Sequence, residues 1–189
     1  MMHANGAKAA AFFFCPILAG CSLLQETQPS VTLSDANVMS VLQTLGEAEI
    51  DAAELAQQKA TAPEVHAFAD RVLNEHRGFA QANGRLAEQL SLEPQPSVLT
   101  SQLRLAQEEQ MRHLRETTGP AFDRAYIDHE IRQHVRAFLF IEAAADSEGT
   151  PQLQQELIRA GPDLLSHISA ARALQRRLGT EPLHAVASR

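Results

Sequence analysis

Three histidines occupy positions where the helical pattern of this chain calls for apolar residues. His76, His134 and His167 each lie on the apolar face of a different predicted helix, three or four residues from the neighbouring apolar positions. Glu49 lies at the edge of the apolar face of a fourth long helix. Buried ionisable groups are costly unless they are paired or bind a metal ion. Four such residues on four helices therefore indicate a shared site.

The four residues also lie at similar heights along their helices. Each is roughly 20–24 Å from the predicted start of its helix, at about 1.5 Å per residue. Residues near mid-helix meet at one level even when neighbouring helices are antiparallel. The spacing therefore predicts one polar layer across the middle of a bundle.

Histidine together with carboxylate is a donor set for one Zn, Fe, Mn or Cu ion, and the sequence does not choose among these metals. The candidate metal ligands are Glu49, His76, His134 and His167. Glu130 and Asp163 are additional candidates, because each precedes a histidine of the set by four residues on the same helix face. The alternative is a layer of neutral core histidines that are hydrogen-bonded to glutamate.

No catalytic residue is assigned, and an enzyme is the less favoured reading. The usual diiron signature needs two Glu-x-x-His motifs, and the predicted helices carry none. There is no Gly-rich phosphate loop and no hydrolase triad. The remaining mature-chain histidines are expected to be solvated: His66, His113, His129 and His184.

The elements that position the layer are all predicted to be helices, and no segment alternates as a strand would. The predicted ranges are about 35–60, 63–90, 99–116, 121–146 and 151–178. Thr61 and Glu64 bracket Pro63 in capping-box spacing at the second start. Four long helices with a short one in the connection predict an all-α fold, a ferritin-like four-helix bundle with one crossover.

The first twenty residues are predicted to be a lipoprotein signal peptide. An apolar run over residues 9–19 ends in Leu18-Ala19-Gly20-Cys21, which resembles the bacterial lipobox. Cleavage would leave Cys21 acylated, residues 21–33 as a flexible tether, residues 34–178 as the bundle and residues 179–189 as a frayed tail. Ser22 stands where lipoproteins of the inner membrane usually carry Asp, so we expect the periplasmic side of the outer membrane.

The charge of the mature chain limits its partners. It carries 15 Lys and Arg against 23 Asp and Glu, and has no basic cluster. Nucleic acid is therefore not an expected partner, and membrane attachment depends on the lipid at Cys21. Cys15 lies in the leader, so the mature chain has no disulfide and its core must stabilise it.

Four stretches of the chain resemble a known family. They are Gly46 to Ile50 with Leu55-Ala56, Val65 to Asn83 with Glu75-His76, Gly119 to Tyr126 followed by His134, and Pro162 to His167. They resemble the bacterial predicted outer-membrane proteins called domain of unknown function 4142, of the ferritin-like group.

The resemblance implies a ferritin-like bundle over about residues 34–178. It implies the same Glu and three His positions that the periodicity indicates, with Glu75 and Tyr126 supporting them from outside the ligand set. The chain departs from the family in carrying Gln133 before His134, where the family often has an acid.

Two hypotheses follow from the sequence. The leading one is a lipid-anchored periplasmic bundle whose His/Glu layer binds one transition-metal ion or small ligand, with a role in metal handling or envelope stress. The alternative is a non-catalytic structural or interaction module of the cell envelope, in which the polar layer only fixes helix packing.

Overall fold

Two of the helices begin at serines that cap them. The Ser34 side chain accepts a hydrogen bond from the Asn37 amide, and the Ser97 side chain accepts one from the Thr100 amide. The computed structural model describes residues 33–147 and 149–180, and in these residues it contains five helices and no strand. The helices are α1 Asp35–Lys59, α2 Pro63–Gln89, α3 Val98–Glu116, α4 Gly119–Ala145 and α5 Pro151–Thr180. The prediction of an all-α chain is confirmed for these residues.

The start of α2 is built differently from the sequence prediction. The residue before the helix is Ala62, and no side chain of the predicted capping box caps it, so that prediction is wrong. Asp123 of α4 caps this turn instead. Its carboxylate accepts hydrogen bonds from the backbone amides of Thr61 and Ala62, both at 2.9 Å, and from the Thr61 hydroxyl at 2.5 Å. A buried acid on one helix thereby holds the turn between two others.

The four long helices form a ring of antiparallel neighbours. Contacts join α1 to α2, α2 to α5, α5 to α4, and α4 back to α1. The short turns before α2 and α5 make the first and last pairs antiparallel. Helix α3 runs back along α1 and α4, and it carries the chain from the end of α2 to the start of α4 across the bundle.

The core is divided into two apolar clusters with polar residues between them. The cluster at one end contains Phe68, Val72, Phe122, Tyr126 and Leu174, and the other contains Val41, Leu45, Ile141, Leu157 and Leu164. We call the buried polar residues between these clusters the central layer: Glu49, His76, Glu130, His134 and His167. The two apolar clusters hold the layer at the middle of the bundle and keep it from water.

The predicted signal peptide, Cys21 and all of the predicted tether except Leu33 lie outside the described residues, as does most of the predicted tail. Among the helices that are described, none combines the length and the apolar character needed to cross a membrane.

Candidate metal centre

Three imidazole nitrogens converge in the central layer. His134 Nε2 lies 3.3 Å from His76 Nε2 and 2.9 Å from His167 Nδ1. The three residues come from α4, α2 and α5, and their exposed fractions are 1%, 7% and 1%. Together they form one of two groups of described residues whose ligand atoms are close enough to hold a metal ion.

The other ring nitrogen of two of these histidines faces a hydrogen-bond acceptor. His134 Nδ1 lies 2.9 Å from the backbone carbonyl oxygen of Glu130, which can only accept, so Nδ1 carries the proton and donates it. His167 Nε2 donates to the Glu75 carboxylate. Outward donation of this kind fixes the tautomer of a metal-ligating imidazole.

Burial keeps two of the central imidazoles neutral. Removal from water and, to a smaller extent, the nearby His76 and His167 lower the pKa of His134 to about 3. Burial also lowers the pKa of His76 to about 4. Burial raises the pKa of Glu75, but hydrogen bonds from Arg71 and His167 outweigh this effect and hold that pKa below its usual value. At neutral pH the site therefore pairs the neutral imidazoles of His76 and His134 with an ionised Glu75 at its outer edge.

These assignments leave two lone pairs facing each other. With its proton on Nδ1, neutral His134 presents an unprotonated Nε2 to the centre. Donation from Nε2 leaves His167 Nδ1 without a proton in the neutral ring, only 2.9 Å from His134 Nε2. Two lone pairs at this distance repel each other unless a cation lies between them. The geometry calls for a metal ion or an added proton.

Two buried carboxylates lie on the other side of the His134 ring. Oε1 of Glu49 is 3.8 Å and Oε2 of Glu130 is 3.5 Å from His134 Nδ1. These three residues form the second group that could hold a metal ion. Glu49 Oε2 and both carboxylate oxygens of Glu130 have no hydrogen-bond partner among the described residues. His134 thus separates an imidazole cluster from a carboxylate cluster.

The carboxylates are poor hosts for negative charge when no cation is near. Burial raises the pKa of Glu130 to about 8. Burial and the neighbouring charge of Glu130 raise the pKa of Glu49 well above its usual value. The Tyr126 hydroxyl is buried beside Glu130, and burial followed by the charge of that acid raises its pKa. A cation entering the layer would find acids able to release protons and balance its charge.

The other residues predicted from the sequence lie at different distances from the three converging nitrogens. Glu75 bonds to His167, while Tyr126 lies in the apolar cluster that contains Phe122, with its ring stacked on that of Phe122. Asp163 is exposed, and it belongs to neither group of close ligand atoms. Glu49 lies on the carboxylate side of His134 rather than beside the three converging nitrogens.

The prediction that His129 is solvated is wrong. Its exposed fraction is 1%, and neither ring nitrogen has a hydrogen-bond partner among the described residues. Burial lowers its pKa to about 4, and the charges of Arg132 and Arg136 add to the effect. The sequence did not indicate this burial, because the neighbours of His129 on α4 include Arg132 and Arg136, which are typical of a solvated face.

Gln133 connects α4 to α3. It is 2% exposed, donates to the side-chain oxygen of Gln107 at 3.2 Å, and accepts from Arg136 at 2.6 Å. Gln107 in turn donates to the backbone carbonyl of Ala48 at 3.1 Å. This chain of amides fixes the crossover helix and takes no part in either ligand group.

Comparison with known proteins gives a family and no activity. No curated protein and no solved structure matches the chain. The model of the family described as "Domain of unknown function (DUF4142)" matches residues 22–174, which cover all of α1 to α4 and the histidine of α5. The chain therefore belongs to the DUF4142 family, and its buried His/Glu cluster could hold a metal ion.

Proposed function

We propose that the central layer binds one divalent transition-metal ion through His76, His134 and His167. The observation that carries the proposal is the pair of facing nitrogens, His134 Nε2 and His167 Nδ1, 2.9 Å apart with outward nitrogens that already donate elsewhere. An ion between them replaces lone-pair repulsion with two coordinate bonds. The lowered pKa values keep His76 and His134 in the unprotonated form that metals require.

The nitrogen spacing fits this use. Metal–imidazole bonds of about 2.0–2.1 Å at right or tetrahedral angles put ligand nitrogens about 2.9–3.3 Å apart. The measured separations from His134 Nε2 are 2.9 and 3.3 Å. Zn, Fe, Mn and Cu all accept such donors. Glu49 remains a candidate fourth ligand, which its side chain would become by turning from the carboxylate side of His134.

The rival reading places a proton where the proposal places a metal ion. Protonated His167 would donate from Nε2 to Glu75 and from Nδ1 to His134. The layer would then serve only to fix helix register, as buried polar groups can. This reading supports the structural-module hypothesis, and metal binding is what separates the two.

The test is zinc binding by the full chain, purified without an affinity tag and treated with chelator. We expect one zinc ion per chain and a rise in melting temperature on zinc addition. His134→Ala should lose the ion. His129→Ala is the matched control, because His129 is as buried on the same helix but lies outside the cluster, so this variant should keep the ion.

His134→Leu distinguishes the rival reading most directly. If the layer is structural, this change removes a buried polar group and is neutral or stabilising. Wild-type protein that binds no added zinc, together with a His134→Leu variant at least as stable, would sink the metal proposal.

The surrounding architecture supports a ferritin-like assignment. The four long helices form an antiparallel ring, and α3 carries the single long crossover between diagonal helices. Metal sites of such bundles lie in the core, on side chains from facing helices. The central layer occupies that position here.

We also propose that the bundle is lipid-anchored at Cys21 on the periplasmic side of the outer membrane, with a role in metal handling or envelope stress. The support is the sequence Leu18-Ala19-Gly20-Cys21 after an apolar run. Cys21→Ala should abolish lipid labelling and release the protein into the soluble periplasmic fraction. Membrane retention unchanged in this variant would contradict the anchor.

A further inference from the structure

A cavity of about 680 Å³ adjoins the central layer between the long helices. His76 lies in its wall, and most of the remaining lining is apolar, with Leu45, Phe79 and Ile141 among it. Its volume lies in the range of pockets that bind small molecules, roughly 300–1,000 Å³. The cavity therefore suits a small molecule that is mostly apolar.

His76 presents an unpaired ring nitrogen to this cavity. The residue is 7% exposed, and its Nε2 lies 3.3 Å from His134 Nε2. Its Nδ1 has no hydrogen-bond partner among the described residues, but unlike the two unpaired nitrogens of His129 it is not closed off from solvent. Because His76 is packed into the core and lines the cavity, the cavity is where Nδ1 is accessible. A molecule in the cavity can therefore reach this nitrogen.

Without a metal ion, His76 Nδ1 can only accept a hydrogen bond. His134 donates from Nδ1 to the Glu130 carbonyl, so the Nε2 of that neutral ring carries no proton. The hydrogen bond between the two Nε2 atoms must then use a proton on His76. A neutral imidazole has one N–H, so His76 Nδ1 is left with a lone pair.

With a metal ion in the layer, the same nitrogen becomes a donor. When His76 binds an ion through Nε2, the single proton of its neutral ring lies on Nδ1. Metal-ligating histidines almost always donate from this second nitrogen. His134 and His167 have protein acceptors for that purpose, the Glu130 carbonyl and the Glu75 carboxylate. His76 has none among the described residues, so its acceptor must come from the cavity.

We infer that the metal-loaded protein binds a neutral apolar carbonyl compound in this cavity, and that its carbonyl oxygen accepts a hydrogen bond from His76 Nδ1. The apolar body matches the lining, and an acceptor is what the loaded layer lacks. A charged head would have to leave water for mostly apolar surroundings, which is costly. The inference rests on the proposed function, because the ion at Nε2 is what puts the proton on Nδ1. The ion and the carbonyl compound should raise each other's affinity by the same factor.

The test compares 2-octanone with 2-octanol by calorimetry on the full chain, with and without zinc. The two probes share one carbon skeleton, but the ketone only accepts a hydrogen bond, whereas the alcohol can also donate one. We expect zinc to strengthen 2-octanone binding about tenfold, the effect of about one hydrogen bond, and to change 2-octanol binding less than about twofold. A probe that bound directly to the ion would behave differently, since zinc would then strengthen both.

Two alanine substitutions test the location. Ala160 lines the cavity, so Ala160→Leu should fill part of it and weaken 2-octanone binding to the zinc-loaded chain at least about tenfold. Ala144→Leu is the matched control, because Ala144 is also helical and half-buried against the same apolar cluster but does not line the cavity. This variant should bind the ketone as wild type does. Both variants should keep zinc, since neither alanine belongs to a ligand group.

The inference is overturned if zinc-loaded wild type does not bind 2-octanone, if zinc strengthens both probes alike, or if folded Ala160→Leu binds the ketone as wild type does. The comparison of the two probes needs no variant, so it stands even if Ala160→Leu does not fold. Zinc analysis on the same preparations reports on the proposed function. Zinc binding without a zinc-dependent gain for the ketone contradicts only this inference, whereas wild type that binds no zinc contradicts both.

Discussion

Asp123 and Glu130 are two buried acids on one helix, seven residues apart, and the bundle treats them in opposite ways. Asp123 accepts three hydrogen bonds at the α1–α2 turn, two of them from backbone amides. Among the described residues, Glu130 has no close hydrogen-bond partner and meets only weaker contacts from Glu49 and the Tyr126 hydroxyl, and burial raises its pKa to about 8. Asp123 stabilises the fold, and the turn that it caps supplies its hydrogen-bond donors. An acid left unsatisfied at full burial weakens the fold, which is the pattern expected where a cation is to be received.

The largest effect is expected at the satisfied acid. Asp123→Ala leaves the amides of Thr61 and Ala62 without their acceptor at a partly buried turn, so we expect the free energy of unfolding to fall by about 2–4 kcal/mol. Urea unfolding of chelator-treated protein measures this. Asp128→Ala removes one hydrogen bond, from Gln175, and should cost about 1 kcal/mol or less. Equal losses in the two variants would show that the turn does not depend on Asp123.

The next largest effect is the pH dependence of the free energy of unfolding, which comes from the unsatisfied acids of the central layer. Glu130 has a folded-state pKa of about 8 against the ordinary 4.5, and that of Glu49 is also raised. Between pH 6.5 and 8 the unfolded chain has released the Glu130 proton while the folded chain holds it, so stability falls as pH rises, and the raised pKa of Glu49 acts in the same direction. The slope is about 1.4 kcal/mol per proton and pH unit, which gives a loss of about 2 kcal/mol from Glu130 over this interval.

Below about pH 6.5 three buried histidines make the free energy of unfolding fall as pH falls. His76, His129 and His134 have folded-state pKa values of about 4, 4 and 3, below the ordinary 6.5, so stability is lost as pH falls below 6.5 and only the unfolded chain takes up protons. Chelator-treated protein should therefore be most stable near about pH 6–7. Glu130→Gln should reduce the loss above pH 6.5, because the proton of Glu130 no longer titrates and its charge no longer raises the pKa of Glu49. An unchanged profile in that variant would contradict the assignment.

The sequence and the structure agree on what helical periodicity can encode. Repeats of three and four residues predict five helices, and burial of their apolar faces puts His76, His134 and His167 in the core. Periodicity cannot say which ring nitrogen faces inward, because that depends on Glu75 and on the Glu130 carbonyl from two different helices.

Long-range partners explain the two errors. Asp123 lies about sixty residues from the turn that it caps, so the local spacing of Thr61 and Glu64 was misleading. His129 is buried although the residues around it on α4 include two arginines, which made its face look solvated. Neither the capping contact of Asp123 nor the burial of His129 leaves a local signal in the chain.

The smallest stability effect is expected at Glu130 itself, and it makes the comparison with Asp123 sharpest. At pH 6 the folded protein holds Glu130 protonated, since its pKa is about 8, so Glu130→Gln exchanges one neutral group for another of the same shape. The amide removes the cost of keeping an acid protonated but brings two donors that need partners. These effects offset each other, and we expect a change in unfolding free energy within about 1 kcal/mol.

Zinc affinity should respond differently, because glutamine cannot release a proton and balance the charge of the ion. Loss of a charge that supports a metal site from outside its ligands typically weakens affinity about 10–100-fold. Glu130→Gln should therefore bind zinc at least about tenfold more weakly while Asp123→Asn, if folded, binds it as wild type does. If Glu130→Gln lost several kcal/mol of stability and kept its zinc affinity, Glu130 would stabilise the fold as Asp123 does. The central layer would then serve only to fix helix packing.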